Sequence, residues 1–291
     1  MPVVTLLTDP TSPSLKDDRL VALCDQWGGD SPRCLAPGVA GEFSVSERPD
    51  DFWDVWAALQ EDRIDLAIQS AEGRRRKMLL ADMDSTMIDQ ECIDELAVEA
   101  GVGEHVAGIT ARAMNGELDF EAALRERVGL LKGLPVTVID KVLEKRITFA
   151  SGGATLLATM KANGGHAALV SGGFTAFTEK VAAHLGFDEH RANVLLAEDG
   201  RLTGEVGQPI LGGEAKVTAL QEITARLGIT PEQVISVGDG ANDLGMLGAS
   251  GAGVALHAKP SVAAQSELRI NHGDLTALLF LQGYAAGEFV G

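Results

Sequence analysis

Four consecutive apolar residues, Met78-Leu-Leu-Ala81, run directly into Asp82-Met-Asp84-Ser-Thr86, and no other stretch restricts the fold of this chain so strongly. An apolar run of that length suits a short strand buried on both faces. Asp82 and Asp84 are alternate residues, and alternate side chains of an extended segment share a face. Both carboxylates therefore point at one spot. Two anions that close are costly unless a cation lies between them or one stays protonated. Carboxylate oxygens are the ligands Mg²⁺ prefers, usually one or two of them beside substrate phosphate, and a carboxylate can itself be the nucleophile of phosphoryl transfer. Ser85 and Thr86 add hydroxyls suited to phosphate oxygens or to capping a turn. A capped turn after a strand has the same local pattern, so the meaning of this stretch depends on what accompanies it.

From about residue 150 onward, strands alternate with helices, the pattern of a mainly parallel sheet. A helix over 154–162 leads to a strand over 166–170 and then to Ser171-Gly-Gly173. The following helix turns Phe174, Phe177, Val181 and Leu185 inward. Residues 193–206 read as a hairpin around Asp199-Gly200, a pair suited to a two-residue type I′ turn. A helix over 214–227 carries Lys216 near its start. A strand over 234–237 runs into Gly238-Asp-Gly-Ala-Asn-Asp243, short strands follow near 252–256 and 267–271, and a helix begins at Asp274.

Open parallel sheets bind ligands beyond the carboxyl ends of their strands. The turns at Asp82–Asp84, Ser171–Gly173 and Gly238–Asp243 are thus expected to face a common site. Ser171, with the Gly172 amide at a helix N-terminus, suits a phosphate oxygen. Asp239 can complete a Mg²⁺ shell with Asp82, and Asn242 and Asp243 can support that shell or the phosphate. Lys216 can neutralise nucleophile and phosphate together. Each has a plainer alternative, as a turn residue or a surface lysine; their joint order at strand ends is what argues against coincidence.

Residues 89–147 carry helical periodicity with no strand pattern. Cys92, Ile93, Leu96, Ala97 and Ala100 lead to Gly101; a second helix spans 104–114; a third starts at Asp119 with Phe120, Leu124, Val128 and Leu131; a fourth spans 136–147. Such an insertion after the first strand predicts a four-helix cap that excludes water. Arg127 falls in the series Phe120, Leu124, Arg127, Leu131, where a core residue is expected. A guanidinium there either meets an anion, which arginine grips in bidentate fashion, or snorkels at the edge of the bundle. Residues 1–72 predict a small α+β module: strands over 3–7, 42–45 and 64–68, a helix over 18–27 with Leu20, Val21 and Leu23 inward, a helix over 51–60, and a loop over 28–41. Trp53 and Trp56 share one helix face suited to core or inter-domain packing.

The Asp82-Met-Asp-Ser-Thr86 stretch, the apolar strand ending in Ser171-Gly-Gly173, Lys216 and Gly238-Asp-Gly-Ala-Asn-Asp243 resemble the four motifs of the haloacid dehalogenase-like phosphatases. Glu91-x-Ile-Asp-Glu95, Phe120–Val128 and Ser-Gly-Gly-Phe174 are similar to the pattern of the branch that acts on phosphoserine. The resemblance covers about residues 77–290 and leaves the N-terminal module without a counterpart. It implies an α/β fold in which a Rossmann-like parallel sheet core (77–88 and 148–291) carries an inserted helical cap (89–147) beside a small N-terminal α+β module (1–72) whose role is left open, regulation included. It further implies Mg²⁺-dependent hydrolysis of O-phospho-L-serine to L-serine and phosphate through an aspartyl-phosphate, the last step of serine biosynthesis. By resemblance, Asp82 is the nucleophile and Asp84 the general acid/base. Asp82, the main-chain oxygen of Asp84, and Asp239 hold the metal, with Asp243 in support. Ser171, Gly172, Lys216 and Asn242 hold the phosphate, and Glu91 and Arg127 grip the amino acid portion. A related phosphatase or phosphotransferase acting on another small phosphomonoester would use the same motifs under a different cap.

Composition bounds the partners. A formal net charge of −18 argues against nucleic acid and anionic membranes, whose contacts need clustered Lys and Arg. A metal ion and a few local bases still allow a phosphate substrate. Cys24, Cys34 and Cys92 have no C-x-x-C spacing, which gives no disulfide or zinc framework and suits a reducing compartment. The N-terminus lacks a basic-then-apolar signal, and no apolar run reaches the ~20 residues of a membrane span. A cytoplasmic enzyme with a small-molecule substrate is expected, and a homodimer is left open.

Overall fold

The computed structural model describes residues 1–291, whose strands fall into sheets of four, six and two strands. In chain order, β1 (Pro2–Leu7), α1 (Asp17–Gln26), β2 (Asp30–Ala36), β3 (Ala40–Ser44), α2 (Phe52–Glu61) and β4 (Asp65–Ser70) build an antiparallel sheet ordered β2-β3-β1-β4. Strand β2 lies where a loop is expected from the sequence. Its first five residues are exposed and lack apolar alternation, so only its pairing with β3, broken by two irregularities of register, makes it a strand. Leu20 and Leu23 are buried as expected, whereas Val21 is exposed on the outer side of α1. One face of this sheet packs Leu6 and Phe43 with Phe52 and Leu59 of α2. Leu7, Ala36, Ala40 and Ala67 join the same apolar cluster as Leu275, Leu278 and Leu279 near the C-terminus.

After β5 (Met78–Ala81) come four helices, α3 (Cys92–Glu99), α4 (Gly103–Met114), α5 (Phe120–Gly129) and α6 (Val138–Lys145). They form the expected helical insertion. Asp119 caps α5 by accepting the Ala122 amide at 2.8 Å, which explains why the helix starts there. The remainder runs α7 (Gly153–Ala162), β6 (His166–Phe174), α8 (Thr175–Leu185), β7 (Glu189–Asn193), β8 (Leu195–Glu198), β9 (Arg201–Val206), α9 (Gly213–Leu227), β10 (Val234–Gly238), α10 (Leu244–Ala249), β11 (Ala252–Leu256), α11 (Pro260–Ala263), β12 (Leu268–Ile270) and α12 (Ala277–Leu281). The six-stranded sheet is ordered β12-β11-β10-β5-β6-β7 and is parallel throughout. All four residues of β5 are buried between β10 and β6, as a strand covered on both faces requires.

Two expectations for this half need correction, and one strand has no mark in the sequence. Ser171–Gly173 belongs to the extended end of β6, and α8 starts only at Thr175, so the Gly172 amide is not at a helix N-terminus. Residues 189–193, polar in sequence, are a sheet strand because β6 offers a free edge to pair with. The C-terminal helix starts at Ala277 and not at Asp274, whose carboxylate instead closes a turn on the Thr276 amide at 2.9 Å. The hairpin β8–β9 is as expected, with Asp199 at φ 50° and Gly200 at φ 74°. Its tip braces the cap: Gly133 N donates to Leu202 O and Leu202 N to Leu134 O, both at 2.8 Å.

The N-terminal module grips the parallel sheet through one buried carboxylate. Asp65, at the start of β4, accepts the amides of Asn271, His272 and Gly273 at 2.8, 2.9 and 2.8 Å, just past the edge strand β12. Arg269 of β12 lies over the Trp53 ring at 4.1 Å and the Trp56 ring at 5.2 Å, so the paired tryptophans do pack the module on the core. Asp65→Ala strands three amides at this junction and should lower unfolding free energy by about 2–4 kcal/mol, since each buried unpaired donor costs on the order of 1–3 kcal/mol. Urea titration checks this; an unchanged midpoint would show a loosely tethered module.

Candidate active site

At the carboxyl ends of β5, β6 and β10 the chain places Asp82, Ser171 and Asp239, each buried. Lys216, in the first turn of α9, is 1% exposed and reaches Asp82 Oδ1 at 2.7 Å and Asp243 Oδ1 at 2.6 Å. Asp243 also accepts the amides of Asp239 at 3.2 Å and Gly240 at 3.0 Å through Oδ2. Both its oxygens are therefore engaged by protein donors, and it fixes the β10 turn. Gly238 is required there, because a Cβ would stand 2.3 Å from Asp243 Cγ. Ser171 Oγ accepts the Gly173 amide at 2.8 Å, which curls the end of β6.

Burial, with Asp243 nearby and Lys216 opposing, raises the Asp82 pKa to about 7. Burial first, then Asp243, Glu91 and Asp82, holds the Asp239 carboxyl well above the usual range. Burial opposes the charge of Lys216, but Asp243 and Asp82 outweigh it and push the ammonium's pKa up. Mutual repulsion in a dry site is what a divalent cation relieves. Oxygens of Asp82, Asp239 and Asp243 lie within 4.8 Å of one another. Asp243 is engaged elsewhere, while Asp239 has beside it only the Lys259 ammonium, at 3.2 Å, so hard carboxylate oxygens of Asp82 and Asp239 remain to suit such an ion.

Asp84 points across the cleft. Its Oδ1 accepts the Cys92 amide, the first of α3, at 3.2 Å. Burial, then Glu91 and to a smaller extent Asp82, raise its pKa well above a normal carboxylate, against the pull of Cys92. Gly173 makes room for it, since a Cβ there would meet Asp84 Oδ2 at 2.8 Å. The turn after Asp84 is tight enough to force Ser85 to φ 54°, and Ser85 Oγ donates to Glu91 Oε1 at 2.9 Å.

The cap closes over this floor. Arg127 is 2% exposed, which removes the snorkelling alternative: its Nε donates to Ala123 O at 3.1 Å and its NH1 to Thr110 Oγ1 at 3.0 Å. Together with Asp82, Asp84, Glu91, Ser171, Gly172 and Asn242 it lines one narrow cleft of about 20 Å³, room for about one water. The structure thus gathers every site residue expected from the sequence around the cleft, with Lys216, Asp239 and Asp243 beneath it. Others were not anticipated there. Phe120, expected only as a core residue, presses its ring where Cβ atoms of Gly172 or Gly212 would lie, at 2.8 and 3.2 Å. Asn193, buried at the end of β7, donates to Gly172 O at 2.8 Å and accepts Leu211 N at 2.7 Å, pinning the Ser-Gly-Gly segment. No alternation marks β7, and Asn193 is expected from the sequence only as the start of the following hairpin.

A parallel sheet with acidic strand ends under a helical lid agrees with comparison to known sequences. The profile of the haloacid dehalogenase-like hydrolases matches residues 79–248, and the chain belongs to that family. It is similar to phosphoserine phosphatase from Polaromonas sp., 48% identical over 210 residues that cover 70% of this chain and 89% of that one. Among solved structures, a HAD family hydrolase from Salmonella enterica subsp. enterica serovar Typhi superposes with a TM-score of 0.85 at 31% identity, covering 96% of this chain and 97% of that one, so the N-terminal module has a structural counterpart too. A substrate-bound phosphoserine phosphatase superposes with a TM-score of 0.68 at 41% identity, over 70% and 97% of the two chains.

Gly173→Ala isolates the packing of this site. The added methyl must displace Asp84, and a misplacement of about 1 Å costs roughly 10²-fold in rate. Turnover should fall by that order while the thermal melt stays close to wild type. An active Gly173→Ala enzyme would show that Asp84 is not held where it works.

Proposed function

We propose that the chain hydrolyses O-phospho-L-serine to L-serine and phosphate, with Asp82 as nucleophile and Asp84 as general acid and base. The observation that carries this reading is the pairing, across one narrow cleft, of a phosphate-suited floor with a lid that offers an arginine and a glutamate. Relatives over 40% identical, named as phosphoserine phosphatases, support it. The lining of the space favours a substrate that is a phosphomonoester at one end and a zwitterion at the other. Ser171, Gly172, Lys216 and Asn242 would take the phosphate, Arg127 the carboxylate and Glu91 the ammonium. The division into module 1–72, core 77–88 with 148–291, and cap 89–147 is part of the same proposal.

Asp82 attacks phosphorus, and the P–O bond to serine breaks as the serine oxygen takes the proton of Asp84. Asp84 is suited to that step because its carboxyl resists ionisation. Its carboxylate then takes a proton from water, whose oxygen attacks the phosphorus of the aspartyl-phosphate and frees Asp82. Lys216 keeps the Asp82 carboxylate oriented and offsets negative charge throughout. Asp82, Asp239 and the main-chain oxygen of Asp84 would hold Mg²⁺, which supplies charge stabilisation to the phosphoryl oxygens when bound. A cleft of about 20 Å³ is too small for phosphoserine, so the cap would move away from the floor to admit it and return to exclude water.

Phosphate release from L-phosphoserine should be lost on chelation and return with added Mg²⁺. Asp82→Asn should fold and bind substrate yet lose at least ~10³ in turnover, because no carboxylate remains to accept the phosphoryl group. Rapid quench of the wild type should trap a hydroxylamine-labile acyl phosphate; an active Asp82→Asn enzyme with no trapped intermediate would refute the mechanism. Arg127→Ala should cost about 2–4 kcal/mol in kcat/KM for phosphoserine, as expected for truncating one partner of a desolvated charge pair. Para-nitrophenyl phosphate, which has no carboxylate, should be affected far less, and Arg127→Lys should recover only part of the loss. Equal slowing of both substrates would make Arg127 a structural residue of the cap.

A further inference from the structure

We infer that Thr110 and Asp94 are positioning residues that set the guanidinium of Arg127 for the substrate carboxylate, and so help determine selectivity for a phosphorylated amino acid. The inference deepens the proposed function and rests on it. Thr110 lies on the inner face of α4 and is 3% exposed. Its Oγ1 stands 2.5 Å from Asp94 Oδ1, 3.1 Å from Val106 O and 3.0 Å from Arg127 NH1. A threonine hydroxyl has one hydrogen and two lone pairs. The carboxylate is both nearer and charged, so it takes that hydrogen in preference to the helix carbonyl. The lone pairs are thereby left for NH1. Asp94, Thr110 and Arg127 form a directed chain from anion through hydroxyl to cation, each member on a different cap helix, α3, α4 and α5.

This chain accounts for how an arginine survives inside the lid. Nε is spent on Ala123 O and one NH1 hydrogen on Thr110, while NH2 has no protein acceptor. Arg127 lines the cleft beside Asp84 and Glu91, but Thr110 and Asp94 do not. They act from behind, holding the fork so that its free edge is available to a ligand. Arginine's long side chain loses much rotamer freedom on binding a carboxylate, and here that freedom is already given up. Glu91 and then Asp94 supply countercharge that opposes the cost of burying the guanidinium.

The test is the ratio of kcat/KM for phosphoserine to that for para-nitrophenyl phosphate, in the full-length Mg²⁺-loaded enzyme. Thr110→Val keeps the shape and removes the hydroxyl; the ratio should fall about tenfold or more, mainly through a higher KM for phosphoserine, as loss of a charge-assisted hydrogen bond predicts. Thr110→Ser, which keeps the hydroxyl, should restore the ratio close to wild type. Asp94→Asn should lower it in the same direction by less, because an amide oxygen can still accept the threonine hydrogen. An unchanged ratio in Thr110→Val, or equal slowing of both substrates, overturns the inference. Should Thr110→Val fail to fold, Asp94→Asn decides alone, and an unchanged ratio there is equally fatal. A wild type that shows no preference for phosphoserine would instead remove the substrate assignment itself, and this inference with it.

Discussion

The molecule depends on one buried ammonium. Lys216 joins Asp82, just past β5, to Asp243 beyond β10, and without it three acidic side chains would crowd a buried floor with no opposing charge from the protein's centre. The arrangement explains several local choices at once. The β10 turn needs Gly238 because Asp243 folds back against its own strand to reach Lys216. Helix α9 must start beside that turn, and Gly213 lets it do so, since a Cβ there would stand 2.8 Å from Asn242 O. A buried ion pair is weak evidence of stability; here it holds charges in register for chemistry, and the surrounding sheet carries the stability.

How much of this was legible in the sequence depended on whether the signal was periodic. Asp82 and Asp84 follow the two-residue period of a strand, so their convergence was visible, and the apolar run before them located the sheet. Arg127 was visible because it interrupts a helical apolar series. Lys216 was less plain, since nothing in a helix start distinguishes a buried lysine from a solvated one; its suitability for phosphate made it a candidate, and resemblance to family motifs added weight. Thr110 left a trace that went unread. It shares the buried face of α4 with Val106, Ile109 and Ala113, as Arg127 shares that of α5 with Ala123, Leu124 and Val128. Two polar residues on apolar stripes of neighbouring helices imply a partnership, but which helices are neighbours is tertiary information.

The misread elements have a common cause. Strands β2 and β7 are edge strands with exposed or polar side chains, and they exist because a neighbour presents unpaired backbone groups. Ser171–Gly173 is extended where a turn into a helix was expected: β7 pairs with β6 as far as Val170 and again at Phe174, and between those points Asn193 ties down Gly172 O. Local propensity carries no record of such pairing. The consequence is functional as well as descriptive: the Ser171 and Gly172 donors are presented by an extended segment tied down by Asn193, not by a helix end.

A chain with a net charge of −18 that accepts a phosphorylated amino acid must do so at short range. At physiological ionic strength the screening length is about 8 Å, so the acidic outer surface has little influence inside a closed cleft. Within it the balance is reversed locally by Lys216 below and Arg127 above, with Lys259 beside Asp239. Closing the cap matters for this reason as much as for excluding water. It brings the cation on the lid within reach of a ligand whose other end is held by the floor, and it lowers the effective dielectric in which both contacts operate. The cap is braced by the β8–β9 hairpin near one end and by paired linkers at the other, where Gln90 and Thr148 exchange two hydrogen bonds of 2.8 Å. The Asp94–Thr110–Arg127 chain lies wholly within these cap helices, whereas Asp82, Asp239 and Lys216 belong to the strand ends and the helix beneath them, so the two ends of the cleft are built by separate parts of the fold.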